Sequence, residues 1–200
     1  MGKRHSKNRD RGAVAGPEDI FKRRPTSVKS HRRPDGRWEL LHPGTALEMA
    51  DDLEEVQQMR AAGERDVAVD ELRWLLSECH DAVDVHYALG ELAFEEEDWR
   101  LARAHFGHAF DLGRSALPES GVDGRLSYDL PANRTLFQAS KGLAFCLREL
   151  GRLPMSLAVL REMTAWDSSD PLGARDLLEK WSREAAELPQ TNDGDAPPPL

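Results

Sequence analysis

Apolar residues return along this chain at the 3.6-residue spacing of one helix face, stretch after stretch, with polar residues between. Leu47, Ala50, Leu53, Val56 and Met59 form one such stripe and predict a helix over 46–62. Thr45 with Glu48 three residues on is a capping-box pattern, and Pro43-Gly44 stops any helix before it. Gly63 ends that helix, and Ala68, Leu72, Leu75 and Leu76 predict the next over 67–79. A third spans 83–96 with Tyr87, Leu89, Gly90 and Ala93 placed for packing; a fourth spans 98–112 with Leu101, Ala102, Phe106, Ala109 and Phe110. Near the end, Asp170-Pro171 reads as an N-cap followed by proline in the first turn of a helix over 172–188. That helix has Ala174, Leu177, Leu178, Trp181 and Ala185 on one side and charges on the other.

The stripes repeat. A step of about 34 residues back carries Glu97, Ala102, Phe106 and Ala109 onto Gly63, Ala68, Leu72 and Leu75. A forward step of about 54, which is the same period plus an insertion, carries Leu89, Ala93 and Trp99 onto Leu143, Leu147 and Leu153. It also carries Glu97, Phe106 and Ala109 onto Gly151, Leu160 and Met163. Helix–turn–helix content at this period, with Leu89-Gly90, Trp99, Ala102, Phe106 and Ala109 as they stand here, resembles the tetratricopeptide repeat (TPR) family. The resemblance covers 49–82, 83–116 and 137–170 and departs from the family pattern at Ala93, Glu55, Arg65 and Ser156. It implies an all-α fold, a short TPR-type solenoid of helical hairpins closed by the 172–188 capping helix, whose polar outer face is what the end of a solenoid needs.

The 117–136 insertion lies within a Gly-, Pro- and Ser-rich stretch from Gly113 to Leu136, read as a loop, with Pro131 suited to start the next helix. Leu126, Tyr128 and Leu130 alternate with polar residues there, which suggests an extended strand laid along the repeats, with a plain surface excursion as the alternative. Trp38 and Leu41 are expected to cover the end of the first hairpin.

Charge changes the picture at one end. Residues 1–40 hold twelve Lys/Arg against five acids, +7 in a chain whose formal net charge is −9, so the remainder carries −16. Residues 1–37 have few large apolar side chains and read as a disordered basic arm, with 189–200 a disordered tail and 38–188 the folded domain. Such an arm suits nucleic acid or a ribosome through its charge alone; it also suits the role of a solubilising tail. The N-terminus lacks the apolar segment of a secretory signal, and no run reaches the ~18 residues of a membrane span. Two cysteines, Cys79 and Cys146, make no disulfide framework. A cytoplasmic protein without membrane contact is the expectation.

Candidate chemistry is sparse. His80, His86, His105 and His108 with Cys79 offer no ligand set at structural zinc spacing, and HExxH, GxSxG and a Gly-rich phosphate loop are absent. Glu95-Glu96-Glu97-Asp98 reads as a solvated corner. With no arrangement that assigns nucleophile, base and oxyanion roles, the expectation is a non-enzymatic chain with no cofactor and no metal.

The resemblance implies a concave face lined by the first helix of each hairpin. Its residues here are Leu53, Gln57 and Arg60, then Asp84, Tyr87, Glu91 and Glu95, then Lys141, Phe145 and Arg148. Chaperone-binding members hold a carboxylate with Lys, Asn and Arg, but the matching positions here are Leu53, Gln57, Ala88, Gln138 and Gly142, so no such clamp is implied. The expected function is an adaptor that binds a partner peptide or helix, with the acidic centre of the groove favouring a basic peptide. The N-terminal arm is itself a candidate for that groove. The alternative is a nucleic-acid- or ribosome-associated factor that uses the arm while the repeats recruit a partner.

Overall fold

A computed structural model describes residues 25–187, which form eight helices and one two-stranded sheet. Strands β1 (Lys29–Arg32) and β2 (Trp38–Leu41) pair antiparallel, Lys29 opposite Leu41 and Arg32 opposite Trp38. Helices follow in order: α1 (Gly44–Glu48), α2 (Ala50–Ala61), α3 (Arg65–Glu78), α4 (Val83–Glu95), α5 (Trp99–Ser115), α6 (Pro131–Glu149), α7 (Leu153–Trp166) and α8 (Ala174–Glu187). The expectation of a mostly helical chain holds. Three antiparallel hairpins, α2–α3, α4–α5 and α6–α7, follow one another, and α8 packs against α7.

The turn inside each hairpin explains the sequence repeat. Gly63, Glu97 and Gly151 occupy equivalent places, and all three have left-handed backbones, with φ of 79°, 58° and 70°. A chain leaving one helix and reversing into the next needs that conformation, which glycine adopts at little cost. In the second hairpin a glutamate does it, and Asp98 beyond it accepts a hydrogen bond from the Leu101 N–H (3.0 Å), capping α5. Close approach of the helices rests on Phe106. A Cβ at Gly90 would sit 2.5 Å from its ring and one at Gly142 2.6 Å, so only glycine on α4 and α6 lets the ring lie between them.

Several expectations are corrected. Residues 25–37 do not belong to a disordered arm: Lys29, Arg32, Arg33 and Arg37 lie in the β-hairpin, where Arg33 pairs with Glu39 (2.5 Å) and Arg37 with Asp35 and Asp129 (2.8 and 2.9 Å). The turn is Pro34-Asp35-Gly36, a proline–aspartate–glycine reversal whose Gly36 has φ 83°. Trp38 does not cover the first hairpin; it bridges Leu126 of the insertion and packs against the large core of the later hairpins. The expected 46–62 helix breaks at Met49 into α1 and α2, with Pro43 rather than Thr45 at the cap. The break turns Leu47 and Ala50 outward and buries Ala46 and Met49 in their place. Leu101 is also exposed.

The insertion loop is shorter than expected, because α5 runs to Ser115 and α6 begins at Pro131. Its segment 122–130 packs inward: Leu126 is fully buried, its N–H donates to the Trp166 carbonyl (2.9 Å), and the Tyr128 N–H donates to Asp167 (2.9 Å). Asn133, wholly buried on α6, fastens three segments together. Its oxygen accepts from the Leu40 N–H (2.9 Å), and its amide donates to the Trp38 and Ser127 carbonyls (3.0 and 2.8 Å). Asp170 does cap the last helix, accepting from the Ala174 and Arg175 N–H groups (2.8 and 3.0 Å), but α8 starts at Ala174, and Pro171 and Leu172 stay in the preceding turn.

Residues 1–24 and 188–200 lie outside the described residues, as do the greater part of the proposed arm and the whole C-terminal tail. Among the described residues, no helix is long and apolar enough to cross a membrane.

Candidate functional site

A groove of about 350 Å3 opens between α4 and α6. Tyr87, Glu91, Phe94 and Glu95 follow one another at helical spacing along α4, and Gln138, Lys141, Gly142 and Phe145 do the same along α6. Phe106 of α5 forms the floor, reached because Gly142 and Gly90 have no side chain to block it. Leu172, ahead of α8, closes one end. The ring centroids of Tyr87 and Phe94 stand 5.8 and 6.2 Å from that of Phe106, so the aromatic surface is continuous. Offset and tilted rings at these separations attract one another and give a stiff apolar wall.

Of the expected site residues, Tyr87, Glu91, Glu95, Lys141 and Phe145 line this groove together. Arg60 reaches its rim from α2, 3.1 Å from Glu91 and 2.6 Å from Glu95. Arg148 lies one turn beyond Phe145, 2.9 Å from Glu184 and over the Trp181 ring, which is itself edge-on to Phe145. The others are elsewhere. Leu53 packs into the core of the first hairpin, and Gln57 is exposed and accepts from Arg60 (3.1 Å). Asp84 accepts a hydrogen bond from the Thr135 hydroxyl and so ties α4 to α6. The insertion contributes no residue to the groove lining.

The acidic centre expected of this groove is largely neutralised. Glu91 accepts from the Tyr87 hydroxyl (2.7 Å) as well as from Arg60, and Arg65 reaches Glu95 (3.4 Å) and Glu96 (2.6 Å). Burial pulls the Arg60 pKa down, but its bonds to Glu95 and Glu91 outweigh that and raise it. Burial, with the hydrogen bond to Glu91 second, drives the Tyr87 phenol well above its ordinary range, so it stays a neutral donor. Lys141 spends one donor on the Leu172 carbonyl (2.9 Å), which holds the end wall in place. The result is an aromatic trough with a charge-balanced rim.

Phe94, Phe106, Gln138, Gly142 and Leu172 line the groove and were not among the expected site residues. Phe94 was legible, seven residues from Tyr87 and three from Glu91 on the same helix face. Phe106 and Gly142 were not, because a core residue and a gap in a neighbouring helix make a floor only once the helices are packed.

The histidines form a separate cluster. His86 donates to the His80 carbonyl (3.1 Å), its ring lies 4.2 Å from that of His108, and its Nδ1 is 3.5 Å from that of His105. Among the described residues, no group of three His, Cys, Asp or Glu side chains is arranged to hold a metal ion. The arm proposed for nucleic acid falls chiefly in residues 1–24, outside the described part. No protein-family model matches this chain, and no curated protein matches it either.

Proposed function

We propose that this chain is a tetratricopeptide-type adaptor that binds a helix or extended peptide of a partner protein in the α4–α6 groove. One observation carries the reading: an open trough walled by the partly buried rings of Tyr87, Phe94 and Phe145, with the buried ring of Phe106 beneath them. Aromatic anchors in concave, partly desolvated sites dominate the energy of many protein interfaces. The 34-residue repeat and the absence of a catalytic constellation in the sequence support the same reading. The partner segment places an aliphatic or aromatic side chain between Tyr87, Phe94 and Phe145. A basic residue beside that anchor shares Glu95, whose side chain is half exposed (52%), with Arg60 and Arg65.

The test is affinity capture from a lysate of the source cell with the tagged full chain, compared with Tyr87→Ala/Phe145→Ala, by quantitative mass spectrometry. A partner held by two such anchors is expected to fall by about tenfold or more in the double variant. If the same proteins are recovered at equal abundance, the groove is not the binding site.

A further inference from the structure

The outer surface, on the side of α3, α5 and α7, carries a second regularity. Val67, Leu101 and Met155 are each about half exposed, at 52%, 47% and 50%, and each is the third residue of the second helix in its hairpin. They are repeat equivalents, and two of them stand at matching clefts between successive hairpins. The first cleft, between α3 and the second hairpin, includes Asp66, Val69, Ala93, Glu96 and Leu101. The second, between α5 and the third hairpin, is lined by Arg100, Arg103, Leu147, Leu150, Arg152 and Met155. One repeat step takes Asp66 and Val69 onto Arg100 and Arg103, and Ala93, Glu96 and Leu101 onto Leu147, Leu150 and Met155. Arg152 likewise replaces Asp98. The scaffold is the same, but its charge is inverted.

The two clefts also differ in how their arginines are employed. In the first, Arg65 pairs with Glu95 and Glu96, and Arg73 with Asp70 (3.2 Å). In the second, Arg100, Arg103 and Arg152 are exposed, and among the described residues none makes an ion pair. Three guanidinium groups gathered on one cleft of a chain with net charge −9 repel one another, none of them held in an ion pair among the described residues. A carboxylate relieves that repulsion and matches the planar donor fork of arginine. Leu147, Leu150 and Met155 give the cleft, of about 350 Å3, an apolar floor that a bare anion leaves unused. The acidic body opposes the approach of a long polyanion such as nucleic acid, whereas a short segment with few charges is attracted by the local field.

We infer that the outer cleft between the second and third hairpins is a second docking site, which takes an acidic peptide segment of a partner protein with carboxylates flanking one aliphatic side chain. The carboxylates meet Arg100, Arg103 and Arg152, and the aliphatic side chain lies on Leu147, Leu150 and Met155.

A fluorescein-labelled peptide, acetyl-Asp-Asp-Leu-Asp-Asp-amide, titrated with the full chain in a fluorescence polarisation assay tests this. Binding should weaken as salt rises, fall about tenfold in Arg103→Glu with its charge-assisted bonds lost, and fall further in Arg100→Glu/Arg152→Glu. Met155→Ala should weaken it several-fold, and Tyr87→Ala should leave it unchanged. All these side chains but Tyr87 are well exposed, and equal melting temperatures of variant and parent confirm that a loss is local. The proposal is overturned if the parent chain does not bind, if the arginine variants bind as well as the parent, or if Tyr87→Ala abolishes binding. Equal competition by a single-stranded oligonucleotide of the same charge overturns it as well.

Discussion

Around α2 and α3 the core is aliphatic: Val56, Leu72 and Leu75 meet Val85, Leu89 and Leu92 of α4, with no aromatic ring among them. Around α5 to α8 it is built from rings, with Phe106, Phe110, Phe137, Trp166 and Trp181 in one cluster that also takes in the β-hairpin and the insertion. Helix α4 belongs to both, turning Val85, Ala88, Leu89 and Leu92 one way and Val83 and Ala93 the other. The two regions share a repeat but not a density of contact. The aromatic one is closed at its far end by α8 and Trp181, whereas the first hairpin leaves its own aromatic residue, Trp74, 55% exposed. The inner groove and the outer arginine cleft both lie on the aromatic side or at its border, where the scaffold is stiff. Rigid elements hold a binding constellation more accurately than loosely packed ones.

The strongest way to break this comparison is to empty each core in turn. Phe106→Ala removes the ring seated between Gly90 and Gly142 and should cost about 3–5 kcal/mol across the whole denaturant transition. Leu72→Ala should cost about 2–5 kcal/mol, but chiefly as lost hydrogen-exchange protection in α2 and α3, with α6 and α7 little changed. Equal loss of protection in α6 and α7 would mean that the two cores act as one unit.

Acid probes the seam between them. Burial first, and then the neighbouring His108, lower the His86 pKa from 6.5 to about 4, and His105 is lowered by burial, His108 and Arg73. The groups facing His86 are His80, His105 and His108. Above about pH 6.5 the imidazole is neutral whether the chain is folded or not, and it contributes no pH dependence. As pH falls from 6.5 toward 4, the unfolded chain takes up a proton that the folded one refuses, so stability declines through that window. Because His86 also holds the His80 carbonyl, in the turn that joins the first hairpin to α4, the melting temperature should drop with acid, and His86→Gln should flatten that drop.

A smaller effect sharpens the repeat itself. Glu97 holds the left-handed turn that Gly63 and Gly151 hold in the other hairpins. Glu97→Gly should therefore raise stability by up to about 1 kcal/mol in thermal melts, provided relief of strain exceeds the added freedom of the unfolded chain. A loss of stability would show that Glu97 contributes more than its backbone conformation.

Much of the helical fold was legible because its signals are local. Ala68, Leu72 and Leu75, the start of α6 at Pro131 and the Asp170 cap are each fixed by residues within a turn or two. The β-hairpin was not read, although Pro34-Asp35-Gly36 marked its reversal, because the cationic composition around that turn argued for a disordered arm. Half of the groove followed from helix spacing, as Tyr87, Glu91, Glu95, Lys141 and Phe145 show. What spacing does not reveal is which charges are already spent. Arg60 and Arg65 neutralise Glu91 and Glu95 across hairpins, while Arg100, Arg103 and Arg152 are left over, and both facts depend on which helices become neighbours.

Asn133 carries a consequence for the order in which the protein is made. Its single amide closes contacts to residues 38 and 40, more than ninety positions earlier in the chain. Each helical hairpin can form from its own residues as it leaves the ribosome, because its two helices are adjacent in sequence. The β-hairpin cannot complete its docking so early: synthesised before every helix among the described residues, it lacks its Asn133 anchor until the start of α6 has emerged. An element translated early thus waits for one translated much later, and through that interval Trp38 and Leu40 lack their Asn133 partner.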